Sequence, residues 1–236
     1  MAKRFAVIDG RAESILAEPL AALGYEVLAL PSFDLLDAPV SAHPDMLLWA
    51  YENKIITHGE YYPIAKGIFD TLAASGYEII LSEQKISAKY PSDVPLNCAV
   101  VGKHLIANAD SASRLVLEAA SGSLKLLSTR QGYAKCSTLT VDSAAVITAD
   151  ASIERACRGA GIEVLKIREG HIRLDGYGYG FIGGAGGVDR ERVFFAGEPS
   201  LHPDGEAIKD FCKRHKKEII TLSDAPLFDV GTIFFL

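Results

Sequence analysis

The sequence predicts a single α/β domain over residues 1–236, a closed propeller of five strand–strand–helix–strand units. The first observation is a pattern that recurs five times, which indicates one supersecondary unit used repeatedly. The anchors of these copies, spaced by 48, 50, 41 and 48 residues, are Val7, Ile55, Leu105, Val146 and Phe194. The second observation is an apolar strand left over at the C-terminal end. It has a place only if it pairs with the first unit and closes the ring.

Each copy begins with a short apolar strand, continues with a helix of apolar spacing and ends with a second apolar strand. In chain order the copies are 5–9, 12–23 and 24–30; 54–57, 63–74 and 76–81; 104–108, 112–120 and 123–127; 145–148, 153–160 and 161–167; and 192–196, 205–215 and 217–222. Gly24, Gly76 and Gly161 mark the ends of three of the helices, which is the typical position of a helix-terminating glycine.

A further strand precedes four of the units and is joined to them by two-residue turns typical of hairpins. These strands are predicted at 44–51, 96–101, 135–141 and 180–188. The first unit has no such strand, and the unassigned segment 230–236 is predicted to pair with 5–9. Two ordinary α/β half-domains are the alternative, but a purely parallel sheet does not allow hairpin connections.

Composition limits the classes of partner. Hydrophobic residues make up 49% and charged residues 23%, the balance of a globular protein with a sizeable core. A net charge of −6 without a basic run argues against nucleic acid or an anionic membrane as partner. No apolar run reaches the length of a membrane span, and residues 1–5 show no signal-peptide pattern. Four cysteines do not form a disulfide scaffold, so we expect a cytoplasmic protein.

Four motifs carry a resemblance to a known superfamily, and they extend across the chain. They are GYAKCST at 132–138, GFIGGAG at 180–186, HPD at 202–204 and DVGTI at 229–233. With the five-unit pattern, the chain resembles the pentein fold, also called the guanidine-group-modifying-enzyme (GME) fold. Within it, the chain looks like an uncharacterised bacterial family. The superfamily includes arginine deiminases, dimethylarginine hydrolases, amidinotransferases and a ribosome anti-association factor.

The resemblance implies a Cys nucleophile on the C-terminal strand and a His-x-Asp motif that supplies a base and a guanidinium-binding carboxylate. His202 and Asp204 match that motif, and Pro203 favours an extended backbone that lets both side chains face one space. The alternative is that Asp204 simply caps the helix predicted at 205–215. The sequence departs from the superfamily at the nucleophile, because segment 230–236 holds no Cys and Thr232 stands where the thiol is expected.

Cys136 is the substitute candidate for a nucleophile. It lies on the corresponding strand of another unit, and the neighbouring Lys135 is a cation that would favour thiolate. The alternative is a buried structural cysteine. Cys98 lies on the matching strand of a further unit and has a weaker case. The cysteines at 157 and 212 fall at apolar helix positions and are expected in the core.

Five further residues are predicted to bind substrate. His43 and Asp45 repeat the His-Pro-Asp motif ahead of the second unit, with ordinary turn chemistry as the alternative. Asp229 is a carboxylate that suits a cationic ligand, and Asp175 and Tyr179 are predicted to contribute to a glycine-rich segment, 170–187. Its glycines allow the backbone to approach a ligand closely, or else to curve tightly at a crowded centre. The glycines do not lie between a strand and a helix, so no nucleotide site is expected.

These observations predict a protein that binds a small cationic ligand, a guanidino or amino compound, in its central channel. Cys-dependent hydrolase or transferase activity would use Cys136 as nucleophile and His202 as base. A non-catalytic interaction module that uses the ring as a binding surface is the alternative. No cofactor is expected, and the histidine spacing fits no metal site. The positions of Cys136 and His202 relative to one another discriminate between the two functions.

Overall fold

Five three-stranded sheets repeat one plan in the computed structural model, which describes residues 3–236. In each sheet a first strand runs antiparallel to a middle strand, and a third strand runs parallel to the middle one. The strands, grouped by sheet as first, middle and third, are β15 (Phe234–Phe235), β1 (Phe5–Asp9) and β2 (Glu26–Leu30); β3 (Leu48–Tyr51), β4 (Lys54–His58) and β5 (Glu78–Ser82); β6 (Ala99–Val101), β7 (His104–Ala107) and β8 (Lys125–Ser128); β9 (Leu139–Asp142), β10 (Ala145–Thr148) and β11 (Glu163–Lys166); and β12 (Gly186–Asp189), β13 (Arg192–Phe195) and β14 (Glu218–Thr221).

A helix connects the middle and third strands of every sheet, as parallel pairing requires. These helices are α1 (Glu13–Ala22), α3 (Lys66–Ala74), α4 (Arg114–Ala120), α5 (Ala151–Gly159) and α6 (Gly205–Arg214). A one-turn helix, α2 (Pro44–Leu47), precedes β3, and 3-10 turns span Gly10–Ala12, Ala38–Val40 and Pro199–Leu201. The mixed α/β fold and the five repeats predicted from the sequence are therefore confirmed.

The middle strands form the centre of each unit's core. Every residue of β1 and β10 is buried, and only the first residue of β4, β7 and β13 is partly exposed. Strands buried on both faces are expected to be largely apolar, as β1 and β10 are up to their last residues, Asp9 and Thr148. The five helices then shield the sheets from solvent.

The turns predicted from glycine are present. Gly24, Gly76 and Gly161 adopt positive φ values of 88°, 101° and 78° directly after their helices. A side chain with a Cβ is strained in this conformation, which explains the glycines at these helix ends. In the fifth unit Lys216 takes the same position with φ of 56°.

The C-terminal strand pairs with the N-terminal strand, as predicted. In β15, Phe235 lies opposite Ala6 and Phe234 lies opposite Val7 in an antiparallel ladder. The backbones of Phe5 and Leu236 exchange a further pair of hydrogen bonds of 2.9 and 3.0 Å.

The predicted first strands are too long at their N-terminal ends. Segments 44–51, 96–101, 135–141, 180–188 and 230–236 enter their sheets only at Leu48, Ala99, Leu139, Gly186 and Phe234. The residues ahead of these points bond to equivalent segments of other units, and this replaces sheet pairing. The Asp45 amide donates to the Gly231 carbonyl at 3.0 Å, and the Gly184 amide donates to the Cys136 carbonyl at 2.9 Å.

Candidate functional site

One residue in each unit lies two or three positions before the first strand, and these five residues meet at a common centre. We call them the entry cluster, and they are Asp45, Asn97, Cys136, Gly183 and Thr232. The repeat explains their convergence, because equivalent positions of five similar units occupy equivalent places in the fold.

Asp45 and Asn97 hold the thiol of Cys136 from two sides. The Cys136 Sγ–H donates to Asp45 Oδ2 at 3.0 Å, and Asn97 Nδ2 donates to Cys136 Sγ at 3.0 Å. Asn97 Oδ1 accepts from the backbone amides of Lys135 and Cys136 at 2.8 and 3.1 Å, and its Nδ2 also donates to the Asp45 carbonyl at 3.2 Å. The thiol therefore has a fixed position, and it is buried.

Thr232 completes the entry cluster on the other side of Asp45. Its Oγ1 lies 2.8 Å from Asp45 Oδ2 and 2.9 Å from the Gly183 carbonyl, and Lys135 Nζ donates to it at 3.2 Å. Thr232 also has φ of 74°, which is rare for a β-branched residue and costs about 1–3 kcal/mol. The three contacts of its hydroxyl oxygen hold this strained conformation in place.

A cavity of about 230 Å³ lies next to Cys136 and has mostly apolar walls. We call it the aromatic cavity after the rings that line it, which are Tyr133, Tyr177, Tyr179 and Phe181. Its polar lining comes from His43, Cys136 and Asp229. Aromatic faces attract cations, and a carboxylate among them supplies a counter-charge.

His43 lies between two buried carboxylates without a hydrogen bond of its own. Nε2 is 3.7 Å from Asp9 Oδ2, and Nδ1 is 3.8 Å from Asp229 Oδ1. The ring is only 1% exposed, and neither nitrogen has a hydrogen-bond partner within the described residues. Asp9 is already paired with Arg11, whose Nε donates to it at 3.0 Å. Nδ1, which lies on the side of Asp229, is therefore free to bond to a ligand next to that carboxylate.

Burial shifts the titrating groups of the site toward their neutral forms. It raises the pKa of Asp45 and of Asp229, and it lowers the pKa of His43. It also lowers the pKa of Lys135. The pKa of the Cys136 thiol is raised well above its ordinary value by burial and then by the nearby carboxylates of Asp45 and Asp229. The effect that the sequence predicts for Lys135, a cation that favours thiolate, is therefore opposed by burial and by these two carboxylates.

The glycine-rich segment packs against the site through bare backbone. A Cβ on Gly184 would lie 2.0 Å from Asp229 Oδ1, and one on Gly180 would lie 2.5 Å from Asp229 Cβ. Asp229 is fixed there by amides: Phe181 N donates to Oδ2 at 2.8 Å, and Gly231 N donates to Oδ1 at 2.9 Å. These glycines are thus required by the crowded centre.

Of the predicted site residues, five are brought together. His43, Asp229, Tyr179 and Cys136 line the aromatic cavity, and Asp45 contacts Cys136. The side chains of His43 and Asp45 were predicted to project into one space, and in the structure they do not. Asp45 belongs to the first turn of α2, so its side chain contacts Cys136 and Thr232 while His43 faces Asp9 and Asp229.

The other three predicted residues lie apart from this group. His202 Nδ1 accepts from the Asp204 amide at 3.0 Å, and its ring meets His171 edge-on. Asp204 occupies the N-cap position of α6, but its carboxylate accepts from Arg168 N and Nε at 2.7 and 3.0 Å. None of these contacts involves the entry cluster.

Asp175 is exposed and pairs with Arg173 at 3.4 Å. It lines a separate surface pocket, together with Asp9, Arg11 and one side of Asp229.

A second cavity, of about 280 Å³, borders the entry cluster and shares no lining residue with the first. We call it the lysine cavity because Lys135 lines it, together with Thr232, Lys217 and apolar residues such as Leu139 and Ile233. Asp45 is fully buried and lines neither cavity. Within the described residues, its side-chain bonds are to Cys136 and Thr232 alone, and these two residues face different cavities.

Sequence reasoning missed Asp9, Asn97, Tyr133 and Phe181. For Asn97 a signal was available, since it precedes its first strand by about the same distance as Asp45 and Thr232 do. Asp9 is the last residue of the otherwise apolar strand β1, and no sequence pattern predicts that its side chain lies near His43. Among residues 3–236, no group of three or more His, Cys, Asp or Glu side chains is arranged to hold a metal ion. No helix in that range is long and apolar enough to cross a bilayer.

Solved structures with the same arrangement of elements cover nearly the whole chain. A dimethylarginine dimethylaminohydrolase from Pseudomonas aeruginosa, complexed with citrulline, matches with a TM-score of 0.57 at 12% identity, covering 94% of this chain and 92% of that one. An amidinotransferase from Microseira wollei, of the saxitoxin biosynthetic pathway, matches with a TM-score of 0.56 at 10% identity, covering 88% and 72%. An inosamine-phosphate amidinotransferase from Streptomyces griseus matches with a TM-score of 0.53 at 12% identity, covering 94% and 85%.

These likenesses give the chain the fold of the pentein superfamily, as the sequence motifs predicted. The particular family follows from the sequence itself: residues 7–234 match the model of a family described as "Family of unknown function (DUF6873)", and the chain belongs to it. A comparison with curated proteins gives no match.

Proposed function

We propose that this protein binds a small guanidino or amino cation in the aromatic cavity, with Asp229 as its counter-ion. One observation carries the proposal: a single buried carboxylate lies in a cavity lined by four aromatic rings, beside a histidine with two unbonded nitrogens. A buried carboxylate without a cation is costly, and a bound cation would remove that cost. The solved pentein structures, whose names refer to dimethylarginine and amidino chemistry, support the same class of ligand.

The cavity volume limits the size of the ligand. About 230 Å³ is below the range of drug-sized sites, so the cavity suits a methylguanidine, an agmatine or a short diamine. Tyr177 and Tyr179 are 44% and 40% exposed although they line the cavity, so they form its boundary with solvent. An apolar boundary around a single charge favours cations with little polar surface beyond the charged group.

The five-unit ring is part of this proposal, with 1–236 as one domain and the site on its central axis. The hydrogen bonds around the entry cluster support a closed ring, because they link each of the five units to a neighbouring unit and link the fifth unit to the first. They join Asn97 to Asp45, Asp45 to Gly231, Gly184 to Val230, Cys136 to Gly184, and Asn97 to Cys136.

Cys136 extends the proposal from binding to chemistry. Its Sγ lines the aromatic cavity, so a ligand held by Asp229 brings an electrophilic carbon toward a thiol in a fixed position. We propose Cys-dependent hydrolase or transferase activity on that ligand. Within the described residues, His202 makes no hydrogen bond to the entry cluster. The interaction-module alternative has no observation in the structure that favours it.

A thermal-shift series with methylguanidine, agmatine, arginine and putrescine tests the binding proposal. A ligand at 100 times its Kd adds about 2.7 kcal/mol to the stability. For a domain of this size that raises Tm by about 5–11 °C. Asp229→Asn should remove the shift, whereas Asp175→Asn, the same change at an exposed position, should keep it. Equal shifts in both variants would contradict the proposal.

A further inference from the structure

A continuous chain of hydrogen bonds leads from the aromatic cavity to the lysine cavity. It runs from Cys136 Sγ to Asp45 Oδ2 at 3.0 Å, from Asp45 Oδ2 to Thr232 Oγ1 at 2.8 Å, and from Thr232 Oγ1 to Lys135 Nζ at 3.2 Å. Cys136 lines the aromatic cavity, and Thr232 and Lys135 line the lysine cavity. Each of these hydrogen bonds joins two groups that are titratable or carry a hydroxyl, so a proton can be transferred along every one of them.

The two ends of this series of hydrogen bonds are suited to donate a proton, at Cys136, and to release one to solvent, at Lys135. Cys136 is 3% exposed and has no carboxylate or imidazole other than Asp45 within hydrogen-bond distance among the described residues. Lys135 makes no ion pair within 4 Å in the same part of the chain, and its single side-chain hydrogen bond goes to Thr232. Among residues 3–236, Asp45 Oδ1 has no hydrogen-bond partner, so the bonds to the thiol and to the Thr232 hydroxyl are both made by Oδ2.

We propose that Asp45 is the proton acceptor for the Cys136 thiol and that Thr232 and Lys135 carry this proton into the lysine cavity. The inference rests on the proposed function only in taking Cys136 as the reacting group of the aromatic cavity. It gives Asp45 a catalytic role, because Asp45 touches the reacting sulfur. It makes Thr232 and Lys135 positioning residues that restore Asp45 for the next reaction.

The step balances within these four residues and solvent. As Sγ forms its bond to an electrophilic carbon, the S–H bond breaks, its electron pair stays on sulfur and the proton moves to Asp45 Oδ2. After Lys135 has released a proton to solvent in the lysine cavity, Asp45 gives its proton to Thr232 Oγ1. Thr232 in turn gives its own hydroxyl proton to Lys135 Nζ. Asp45 is then a carboxylate again and Lys135 an ammonium.

Alkylation of Cys136 by iodoacetamide, followed by peptide mapping, tests the inference without any knowledge of the natural ligand. In this reaction the S–C bond forms, iodide leaves and the thiol proton is lost. If Asp45 were only a nearby negative charge, Asp45→Asn would lower the thiol pKa and speed alkylation. If Asp45 is the proton acceptor, the same variant should slow alkylation about tenfold or more.

Thr232 provides a matched pair without any change in charge. Thr232→Ser keeps the hydroxyl, so iodoacetamide should alkylate Cys136 in this variant at the wild-type rate across the pH profile. Thr232→Val removes the hydroxyl and should slow alkylation about tenfold, because Asp45 then loses the hydrogen bond of 2.8 Å that favours its carboxylate form, and only the carboxylate accepts the thiol proton. If one variant does not fold, the other and Asp45→Asn still decide the question, with Tm measured for each.

Three outcomes would overturn the inference. They are faster alkylation in Asp45→Asn, equal rates in Thr232→Val and Thr232→Ser, and wild-type labelling of Cys136 no faster than that of the core cysteines Cys157 and Cys212. Loss of cation binding in the thermal-shift series would contradict the proposed function instead, since alkylation does not depend on a bound cation.

Discussion

The thiol of Cys136 lies 3.0 Å from Oδ2 of Asp45, although 91 residues separate them along the chain. The two belong to the entry positions of the fourth and second units, and the repeat brings them together. The contact couples a nucleophilic group to a carboxyl group whose pKa is raised by burial. It also joins the two cavities, because Asp45 bonds to Thr232 through the same oxygen.

The close approach of Gly184 to Asp229 predicts a large loss of stability in Gly184→Ala. A Cβ at this position would lie 2.0 Å from Asp229 Oδ1, so the carboxylate or the backbone must move. We expect a loss of about 2–4 kcal/mol, as for other overpacked cores. Gly67→Ala is the matched control, because Gly67 lies in α3 with nothing within 4 Å of its Cβ position.

The control should gain up to about 1 kcal/mol from helix propensity. Urea unfolding of both variants, with equal m values, checks the pair. A Gly184→Ala variant as stable as wild type would mean that Asp229 is not packed against this segment.

The pairing of β15 with β1 predicts that a chain ending at Phe228 lacks a cooperative melt. The deletion removes the buried side chains of Val230 and Ile233, each worth roughly 1.5–3 kcal/mol, and leaves β1 with an open edge. Ile233→Ala is the graded control and should cost about 2–5 kcal/mol while the strand pairing stays intact. If the shortened chain melts within a few degrees of the full chain, β15 does not close the ring.

His43 predicts a loss of stability on acidification. Its pKa is lowered by burial in the folded state, so between that value and about 6.5 the unfolded chain binds more protons than the folded one. The contribution of His43 to stability is therefore complete above pH 6.5 and declines as the pH falls below it. The groups that face it are Asp9, Asp229 and, through Asp9, Arg11.

Asp45 and Asp229 act in the opposite direction, because their pKa values are raised in the folded state. Comparison with His43→Asn isolates the histidine. Stability measured by urea unfolding from about pH 5 to 8 should fall less steeply on the acid side in the variant. Parallel curves for the two proteins would show that His43 does not titrate in this range.

The fold was largely predictable from the chain because its signals are local and repeated. Each middle strand is a short apolar run, and Gly24, Gly76 and Gly161 mark where helices must stop. The site was predictable only in part. Cys136, His43, Tyr179 and Asp229 were singled out by motif, but the side chain that contacts Cys136 comes from a different unit.

The main error concerns the backbone conformation ahead of the first strands. The segments before the first strands were interpreted as extended, so residues two apart were expected to share a face. In the folded chain those segments turn into the centre and bond to each other, and Asp45 lies in a helical turn. His202 and Asp204 match a family motif, yet Arg168 binds the carboxylate, a contact across 36 residues that no local pattern predicts.

A crystal structure of the protein with methylguanidine tests cation binding in the aromatic cavity most directly. We predict density for the ligand in the cavity, with its nitrogens within hydrogen-bond distance of Asp229 and His43 and its plane against the ring of Tyr133 or Phe181. The same experiment on Asp229→Asn should give an empty cavity. Ligand found only outside the aromatic cavity in wild type, or bound equally in Asp229→Asn, would contradict the proposal.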